Sequence, residues 1–352
     1  MEHELTIMGL DIGGANTDCC ICQINGNNMK LLTSKKQYLP MWQKKDNLAD
    51  CLNNFKEDYH IDVVVATTTA ELSDGYESKK EGILDITRKI IDVFDDAIVK
   101  FVTFNGLKDY EYVINNPMEM AAANWIATSH LISKIKDNCI FMDMGTTTTD
   151  IIPIKNQKES ATGHSDLERL CSGELVYTGM LRTNVAAITH EIPVNDKVAT
   201  VSSELFATTA DVHMILGNIT RDEYTCSTSD NNDKSLTSCK RRLARVVCAD
   251  LDMLNDDEIM DIARYVEDRQ ISHVEDGLKK VCQANDLNDV VITNYAHADI
   301  CRKAASNLKL NITSLNDYLK EDSLNVCPTL GCVQMYVDEH LGDITLLRLQ
   351  NK

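Results

Sequence analysis

The sequence has few basic residues for its length and lacks long apolar runs. Its 352 residues include 35 Lys and Arg against 54 Asp and Glu, a formal charge of −19. This excess of negative charge repels a nucleic-acid backbone and an anionic lipid surface, so neither is an expected partner. No apolar run approaches the roughly 18 residues that cross a bilayer, and no basic stretch precedes the short apolar run near the N-terminus. We therefore expect a cytoplasmic protein.

Several catalytic signatures are missing as well. The nine His residues include no HxxxH pair and no GxSxG sequence occurs, so zinc-peptidase and serine-hydrolase functions have little support. The 13 Cys are spread through the chain without the density of a disulfide scaffold. We expect reduced thiols that pack as small apolar side chains, including Cys19, Cys20 and Cys22 on one predicted strand.

What the sequence does contain is typical of a large α/β protein. Hydrophobic residues make up 43% and charged residues 25%, which suits a globular chain with a sizeable core. At about 150 residues per domain, the length predicts two domains or one large one. Alternating patterns predict a layered α/β architecture. The predicted strands are 5–10, 19–24, 30–32, 61–66, 98–102, 139–144 and 290–293, and the predicted helices are 83–94, 118–135, 236–251, 256–283, 296–308 and 328–340.

One short pattern occurs twice. Residues 11–18 and 143–150 both read Asp-x-Gly-x4-Asp, and an apolar strand precedes and follows each copy. This predicts an internal duplication of a strand-turn-strand unit, one in each domain. We place the boundary just before the second copy, with domains 1–137 and 138–352, and expect helical insertions at about 200–285 in the second domain.

The two turns have the composition of anion-binding sites. Backbone N–H groups converge in a tight turn, and Gly13 and Gly14 allow a phosphate to approach closely. Aspartates cannot bind phosphate themselves, but their oxygens suit Mg²⁺, and we expect Asp11 and Asp143 to hold it. The alternative is that Asp-x-Gly turns are simply favourable hairpin turns. The candidate substrate and phosphate ligands are Asp11, Gly13, Gly14, Asn16, Thr17, Asp18, Gly145, Thr146, Thr147, Thr148, Arg182 and Glu204.

Four segments carry a resemblance to known proteins. The turns are similar to the phosphate loops of the superfamily that contains acetate and sugar kinases, heat-shock chaperone ATPases and actin. Residues 9–18 and 142–150 resemble its hydantoinase A and oxoprolinase branch. Residues 172–183 (SGELVYTGMLRT) and 203–212 (SELFATTADV) are similar to one archaeal subfamily of that branch, the methanofuran-biosynthesis synthases, also labelled tetrahydromethanopterin-linked one-carbon-pathway proteins.

The resemblance implies both a fold and a reaction. The fold is a two-domain actin-like ATPase (ribonuclease H-like) α/β fold with duplicated phosphate loops and a central cleft. The reaction is a transfer of an alkyl group other than methyl, in archaeal methanofuran biosynthesis and hence methanogenesis. The phenol of γ-glutamyltyramine displaces diphosphate from (5-aminomethyl-furan-3-yl)methyl diphosphate, and an aryl ether forms. The sequence leaves the oligomeric state open, a homo-oligomer included.

The phenol needs a base, because its pKa is near 10. Glu174, Glu204 and Asp211 are candidates, each with a cap or surface carboxylate as its alternative role. Glu204 opens a predicted helix to residue 216, and Asp211 follows two turns later on the same face. Arg182 is a candidate for a bidentate anion contact, or a structural ion pair. The candidate catalytic residues are Asp143, Asp150, Glu174 and Asp211.

Two departures from the superfamily argue against ATP as a cofactor. Asn16 stands where related first loops carry Thr, and residues 293–296 read TNYA where ATP-using members carry a Gly-Gly pair. A substrate that supplies its own diphosphate agrees with both. The other open functions are an ATP-dependent hydantoinase/oxoprolinase-like enzyme or small-molecule kinase, and a non-catalytic nucleotide-binding regulator.

Overall fold

The computed structural model describes residues 4–293, 299–319 and 327–346. A six-stranded sheet forms from the first half of the chain, in the order β3-β2-β1-β4-β5-β6. Its strands are β1 (Leu5–Ile12), β2 (Asn16–Asn25), β3 (Asn28–Tyr38), β4 (Val63–Thr68), β5 (Ile98–Thr103) and β6 (Gly106–Lys108).

A second sheet follows in the order β10-β8-β7-β13-β14, with β9 paired to β8, and β11 and β12 form a separate hairpin. These strands are β7 (Cys139–Met144), β8 (Thr149–Lys155), β9 (Lys158–Glu159), β10 (Leu175–Val176), β11 (Glu191–Val194), β12 (Lys197–Thr200), β13 (Asp289–Ile292) and β14 (Asn311–Ser314).

Helices pack around the two sheets. They are α1 (Met41–Lys44), α2 (Leu48–Lys56), α3 (Lys79–Val93), α4 (Tyr110–Asn115), α5 (Asn124–Ser133), α6 (Asp166–Ser172), α7 (Val185–Ile188), α8 (Thr209–Leu216), α9 (Leu236–Arg245), α10 (Asp256–Asn285), α11 (Ile300–Asn307) and α12 (Cys327–His340). No helix within the described ranges combines the length and the apolar composition that a bilayer crossing needs.

The centres of the two sheets are built alike. In each sheet a hairpin of antiparallel strands, β1–β2 or β7–β8, lies beside a parallel strand, β4 or β13. The turns match as well. The Gly13 N–H donates to the Asn16 carbonyl at 2.9 Å, and the Gly145 N–H donates to the Thr148 carbonyl at 2.9 Å. The predicted duplication of strand-turn-strand units is therefore confirmed.

Three of the predicted helices begin or end at other residues in the structure. The helix predicted over 118–135 begins only at Asn124, because a 3-10 turn over Pro117–Glu119 and a left-handed Ala122 (φ 51°) precede it. The stretch predicted to be helical from Glu204 becomes helical at Thr209, after a capping box formed by Thr208. The helix predicted over 236–251 ends at Arg245, and Cys248 shortly after it adopts a left-handed conformation (φ 56°) that a helix cannot continue through.

Helix α12 is the C-terminal helix but covers the first sheet. Thr329 on α12 lies directly on β1, where a Cβ on Gly9 would be 2.0 Å from the Thr329 carbonyl oxygen. The helix also crosses α5 closely, since a Cβ on Gly331 would be 2.1 Å from the Ala127 carbonyl oxygen. One core therefore joins side chains of both sheets. The boundary at 137/138 and the insertions at 200–285 stay predictions.

The 13 cysteines all lie in the described residues, form no disulfide there, and most are buried. Cys20 and Cys22 pack in the core beneath α12, whereas Cys19 packs in the core on the other face of the first sheet. Strand alternation predicts this division. Their packing agrees with the expected role as small apolar side chains.

Candidate functional site

A row of four polar residues crosses the first sheet beside its turn. Register pairs Lys36 with Asp18, Asp18 with Asp11, and Asp11 with Thr67. Register partners project from the same face of a sheet, so the row is continuous. The Lys36 amine lies 3.5 Å from Asp18 Oδ2, and 48% of the Lys36 side chain is exposed.

Of the two carboxylates in this row, Asp11 is buried and Asp18 is half-buried. Burial raises the pKa of Asp11 to about 7; the charge of Asp18 adds to the rise, while Lys36 and a hydrogen bond from Asn124 oppose it. Burial also raises the pKa of Asp18, against the opposing charge of Lys36. The Oδ1 atoms of Asp11 and Asp18, and Thr67 Oγ1, have no hydrogen-bond partner within the described residues.

The second sheet has a corresponding row. Asp150 pairs with Asp143, and Thr293 follows β13, the parallel neighbour of β7. Burial raises the pKa of Asp143 to about 6, while a hydrogen bond from Thr293 Oγ1 opposes the rise. Asp150 is ion-paired with the buried Arg169 at 2.5 Å.

The two rows act on each other electrostatically. The charge of Asp143 contributes to the raised pKa of Asp11, which burial causes in the main. The charge of Lys36, on the first sheet, opposes the burial-driven rise in the pKa of Asp143 on the second. Asp11 and Asp143, one from each sheet, therefore lie close enough for their charges to interact, and we treat them as one candidate site.

The second turn is held in place by the loop that precedes α7. The N–H groups of Leu181 and Arg182 donate to the Thr146 carbonyl at 3.0 Å. A Cβ on Gly179 would lie only 2.5 Å from the Thr147 nitrogen, so the two backbones touch. Gln270 of α10 donates to the Gly179 carbonyl at 2.9 Å. The motif at 172–183 thus packs against the second turn and stabilises its conformation.

The buried carboxylate of Glu174 accepts hydrogen bonds from backbone N–H groups. Its two carboxylate oxygens accept the N–H groups of Thr162 and Gly163, at 2.6 and 2.9 Å. The side chain is 1% exposed. Both oxygens are committed to ordering the loop before α6, and this geometry favours a positioning role over proton transfer.

Asp211 and Glu204 do not converge on one helix face, contrary to the sequence prediction. Glu204 is exposed and lies outside α8. Asp211 is fully buried and ion-paired with the equally buried Arg242 at 2.7 Å. It also accepts hydrogen bonds from the Tyr224 hydroxyl and the Thr208 N–H. The prediction was wrong because Thr208 caps the helix four residues after Glu204.

Arg182 makes a contact between the two halves of the chain. Its guanidinium lies 5.2 Å from the centroid of the Trp42 ring of α1. This cation–π contact joins α1 to the loop that supports the second turn. The predicted anion contact of Arg182 stays a prediction.

The donor set of the site suits Mg²⁺. No group of three or more His, Cys, Asp or Glu side chains in the described part of the chain could hold a metal ion. Mg²⁺ rarely uses such a cage, since it binds one or two carboxylates together with water and substrate phosphates. The unpartnered buried oxygen of Asp11, with Asp143 near it, fits that requirement.

Sequence reasoning missed four residues of this region: Lys36, Thr67, Glu71 and Asn124. The signal for Thr67 was available, because it ends the buried strand beside Asp11. Predicting that Lys36 lies opposite Asp18 would have required the exact register of β2 and β3. Asn294, Tyr295 and Ala296, the substitutes for a Gly-Gly pair, lie outside the described residues.

The matched hairpins on two sheets, with a pair of aspartates at each turn, define an actin-like ATPase fold of the ribonuclease H-like class. The hydantoinase/oxoprolinase family model matches residues 62–314. The chain belongs to the hydantoinase/oxoprolinase family.

Curated relatives narrow this assignment. The chain is 39% identical over 333 residues to the "(4-{4-[2-(gamma-L-glutamylamino)ethyl]phenoxymethyl}furan-2-yl)methanamine synthase" of Methanocaldococcus jannaschii, covering 94% of this chain and 98% of the relative. It is 38% identical over 195 residues to the synthase of the same name from Methanococcus vannielii, covering 54% and 87%. The chain thus belongs to the family of these synthases.

A solved structure supports the fold alone. The nucleotide-free structure of an acetone carboxylase matches 94% of this chain and 70% of its own, with a TM-score of 0.50 and 8% identity.

Proposed function

We propose that the protein is a transferase of methanofuran biosynthesis. In this reaction the phenol of γ-glutamyltyramine displaces diphosphate from (5-aminomethyl-furan-3-yl)methyl diphosphate. The relatives' name describes a product in which a phenoxy oxygen is joined to a furan-bound methylene. The observation that carries the proposal is the pair of matched turns, closed by the Gly13 and Gly145 N–H groups, with a pair of carboxylates beside each.

The turns are suited to the leaving group. Backbone N–H groups at residues 14–16 and 146–148 bind the two phosphate units from the two sheets. Lys36 places a half-exposed ammonium group next to Asp18 and supplies positive charge from the side. Asp11 and Asp143 hold Mg²⁺, which when bound neutralises negative charge on the phosphate oxygens.

The bonds that break and form in this reaction follow from elementary chemistry. The diphosphate oxygen takes the electron pair of its bond to the methylene, and the phenol oxygen gives up its proton to a base as it forms the new bond to that carbon. The furan ring delocalises positive charge at the methylene, which lowers the barrier to departure. Fixed donors at the diphosphate are most effective because charge grows there in the transition state.

The other predicted catalytic residues hold the segments around the site in position. Asp150 binds Arg169, which also donates to the Glu174 carbonyl beside β8. Asp211 binds Arg242 and caps α8, which packs behind the supporting loop. We therefore assign positioning roles to Asp150, Glu174 and Asp211, and direct metal binding to Asp143.

The test is a reaction with purified protein, both substrates and Mg²⁺, in the absence of ATP. Diphosphate release and the mass of the ether are the expected results. Asp143→Asn and Lys36→Met lower the rate at least 10-fold, because each removes a group at the leaving diphosphate. Asp58→Asn, at an exposed position, is the matched control and retains the rate.

Strict dependence on ATP would overturn the proposal. It would favour an ATP-dependent hydantoinase/oxoprolinase-like enzyme or a small-molecule kinase instead.

A further inference from the structure

Glu71 is a buried carboxyl group without an evident structural role. It lies just after β4 and only 1% of its surface is exposed. Its Oε2 atom has no hydrogen-bond partner within the described residues. A buried carboxyl with an unmatched oxygen costs stability, so its presence calls for a functional explanation.

The loop that carries Glu71 wraps the first phosphate turn. Thr69, two residues before Glu71, has its hydroxyl 3.8 Å from where a Cβ on Gly13 would lie. Ser73, two residues after, has its hydroxyl 3.6 Å from the corresponding position at Gly14. The residues on either side of Glu71 thus contact the turn that we assign to the diphosphate.

A strained backbone positions the Glu71 carboxyl. Ala122 has a φ of 51°, a left-handed conformation that alanine rarely adopts. Its N–H donates a hydrogen bond to Glu71. Two residues later, the Asn124 side chain donates to Asp11. One short segment therefore orders both Glu71 and the carboxylate at the first turn, and backbone strain of this kind is common at active sites.

Glu71 also faces the second half of the chain. Asp166, the first residue of α6, is ion-paired with Lys79 at 3.7 Å. Burial raises the pKa of Glu71 to about 7; its own backbone N–H and Lys79 oppose the rise, and Asp166 adds to it. A carboxyl near neutrality is well matched to accepting a proton at physiological pH.

We propose that Glu71 is the general base that accepts the phenol proton of the acceptor substrate, an inference that rests on the proposed function. The phenol O–H bond breaks and its proton moves to Glu71 Oε2. The phenol oxygen forms the bond to the furan methylene as diphosphate departs with the electron pair of the broken C–O bond. Glu71 then returns its proton to water.

The experiment compares Glu71→Gln with the parent protein on two acceptors, γ-glutamyltyramine and an analogue with a fluorinated, more acidic phenol. The variant lowers kcat on the natural phenol about 100-fold or more, with KM nearly unchanged. The loss is at least 10-fold smaller on the fluorinated phenol, because an acidic phenol depends less on a base. Asp74→Asn, on an exposed carboxylate three residues away, retains the parent kcat on both acceptors.

Ether formation by the parent protein separates this inference from the proposed function. If the parent protein forms no ether, the proposed function fails. If ether forms and Glu71→Gln keeps the parent kcat, or loses the same factor on both phenols, Glu71 is not the base. If Glu71→Gln does not fold, Glu71→Asp is compared on the same two phenols, and the same criteria apply.

Discussion

Substituting Asp11 by Asn is expected to stabilise the metal-free protein while it abolishes the reaction. Asp11 is 9% exposed, and burial together with Asp18 raises its pKa from 3.8 to about 7. Three pKa units correspond to about 4 kcal/mol, an upper limit to the cost of keeping this carboxylate ionised in the folded state. Asn removes the charge, still accepts from Asn124 and can donate to Asp18.

The raised pKa of Asp11 determines the direction in which the stability of the parent protein changes with pH. Between pH 4 and pH 7 the folded protein retains a proton on Asp11 that the unfolded chain has lost, so the stability of the parent falls as the pH rises. Above pH 7 the cost is constant. The gain in stability of Asp11→Asn is therefore near zero at pH 4 and reaches at most about 4 kcal/mol at pH 8, a rise on the order of 8 °C in the thermal midpoint.

The assay is thermal unfolding of both proteins in chelator-containing buffer from pH 4 to pH 8. Asp150→Asn is the matched control, because it removes the 2.5 Å ion pair of the buried Arg169, whose other carboxylate partner, Asp166, lies 4.0 Å away, and it is expected to lower stability by about 3 kcal/mol. A stability difference between Asp11→Asn and the parent that does not change with pH, or a lower midpoint at pH 8, would refute the reasoning.

Two further substitutions test the supports of the site. Gly179→Ala places a methyl group 2.5 Å from the Thr147 nitrogen and is expected to weaken Mg²⁺–diphosphate binding at least 10-fold by calorimetry; unchanged binding would show that the turn tolerates displacement. Arg242→Met leaves Asp211 buried and unpaired, so it lowers the free energy of unfolding by about 3–5 kcal/mol, and adding Asp211→Asn restores part of that loss. A double variant as unstable as Arg242→Met would contradict this account.

The sequence was sufficient to predict what depends on local pattern. The two Asp-x-Gly turns, the strands around them and the long helix α10 all follow from residues near one another in the chain. Resemblance supplied the actin-like arrangement and the family, and both are confirmed. The start of α8 was mispredicted because a serine pair before Glu204 and the threonine at 208 are both acceptable caps, and packing selects Thr208.

Lys36 shows why the rest of the site could not be predicted. Strands β2 and β3 are joined by a tight turn that pairs Asn25 with Asn28. Continued without interruption, that register would place Lys35 opposite Asp18. A bulge between Ile21 and Cys22 shifts the pairing by one residue and places Lys36 there instead. Tertiary packing creates the bulge, and no local signal marks it.

The packing of α12 has a consequence for the order in which parts of the chain can fold during synthesis. The contacts of Gly9 with Thr329 and of Gly331 with Ala127 join residues more than 200 positions apart. While the ribosome is still adding residues, the first sheet has one apolar face without its covering helix. The amino-terminal half therefore completes its core only after the last described helix leaves the ribosomal tunnel, and a chain cut short before Cys327 exposes Cys20 and Cys22 to solvent and oxidants.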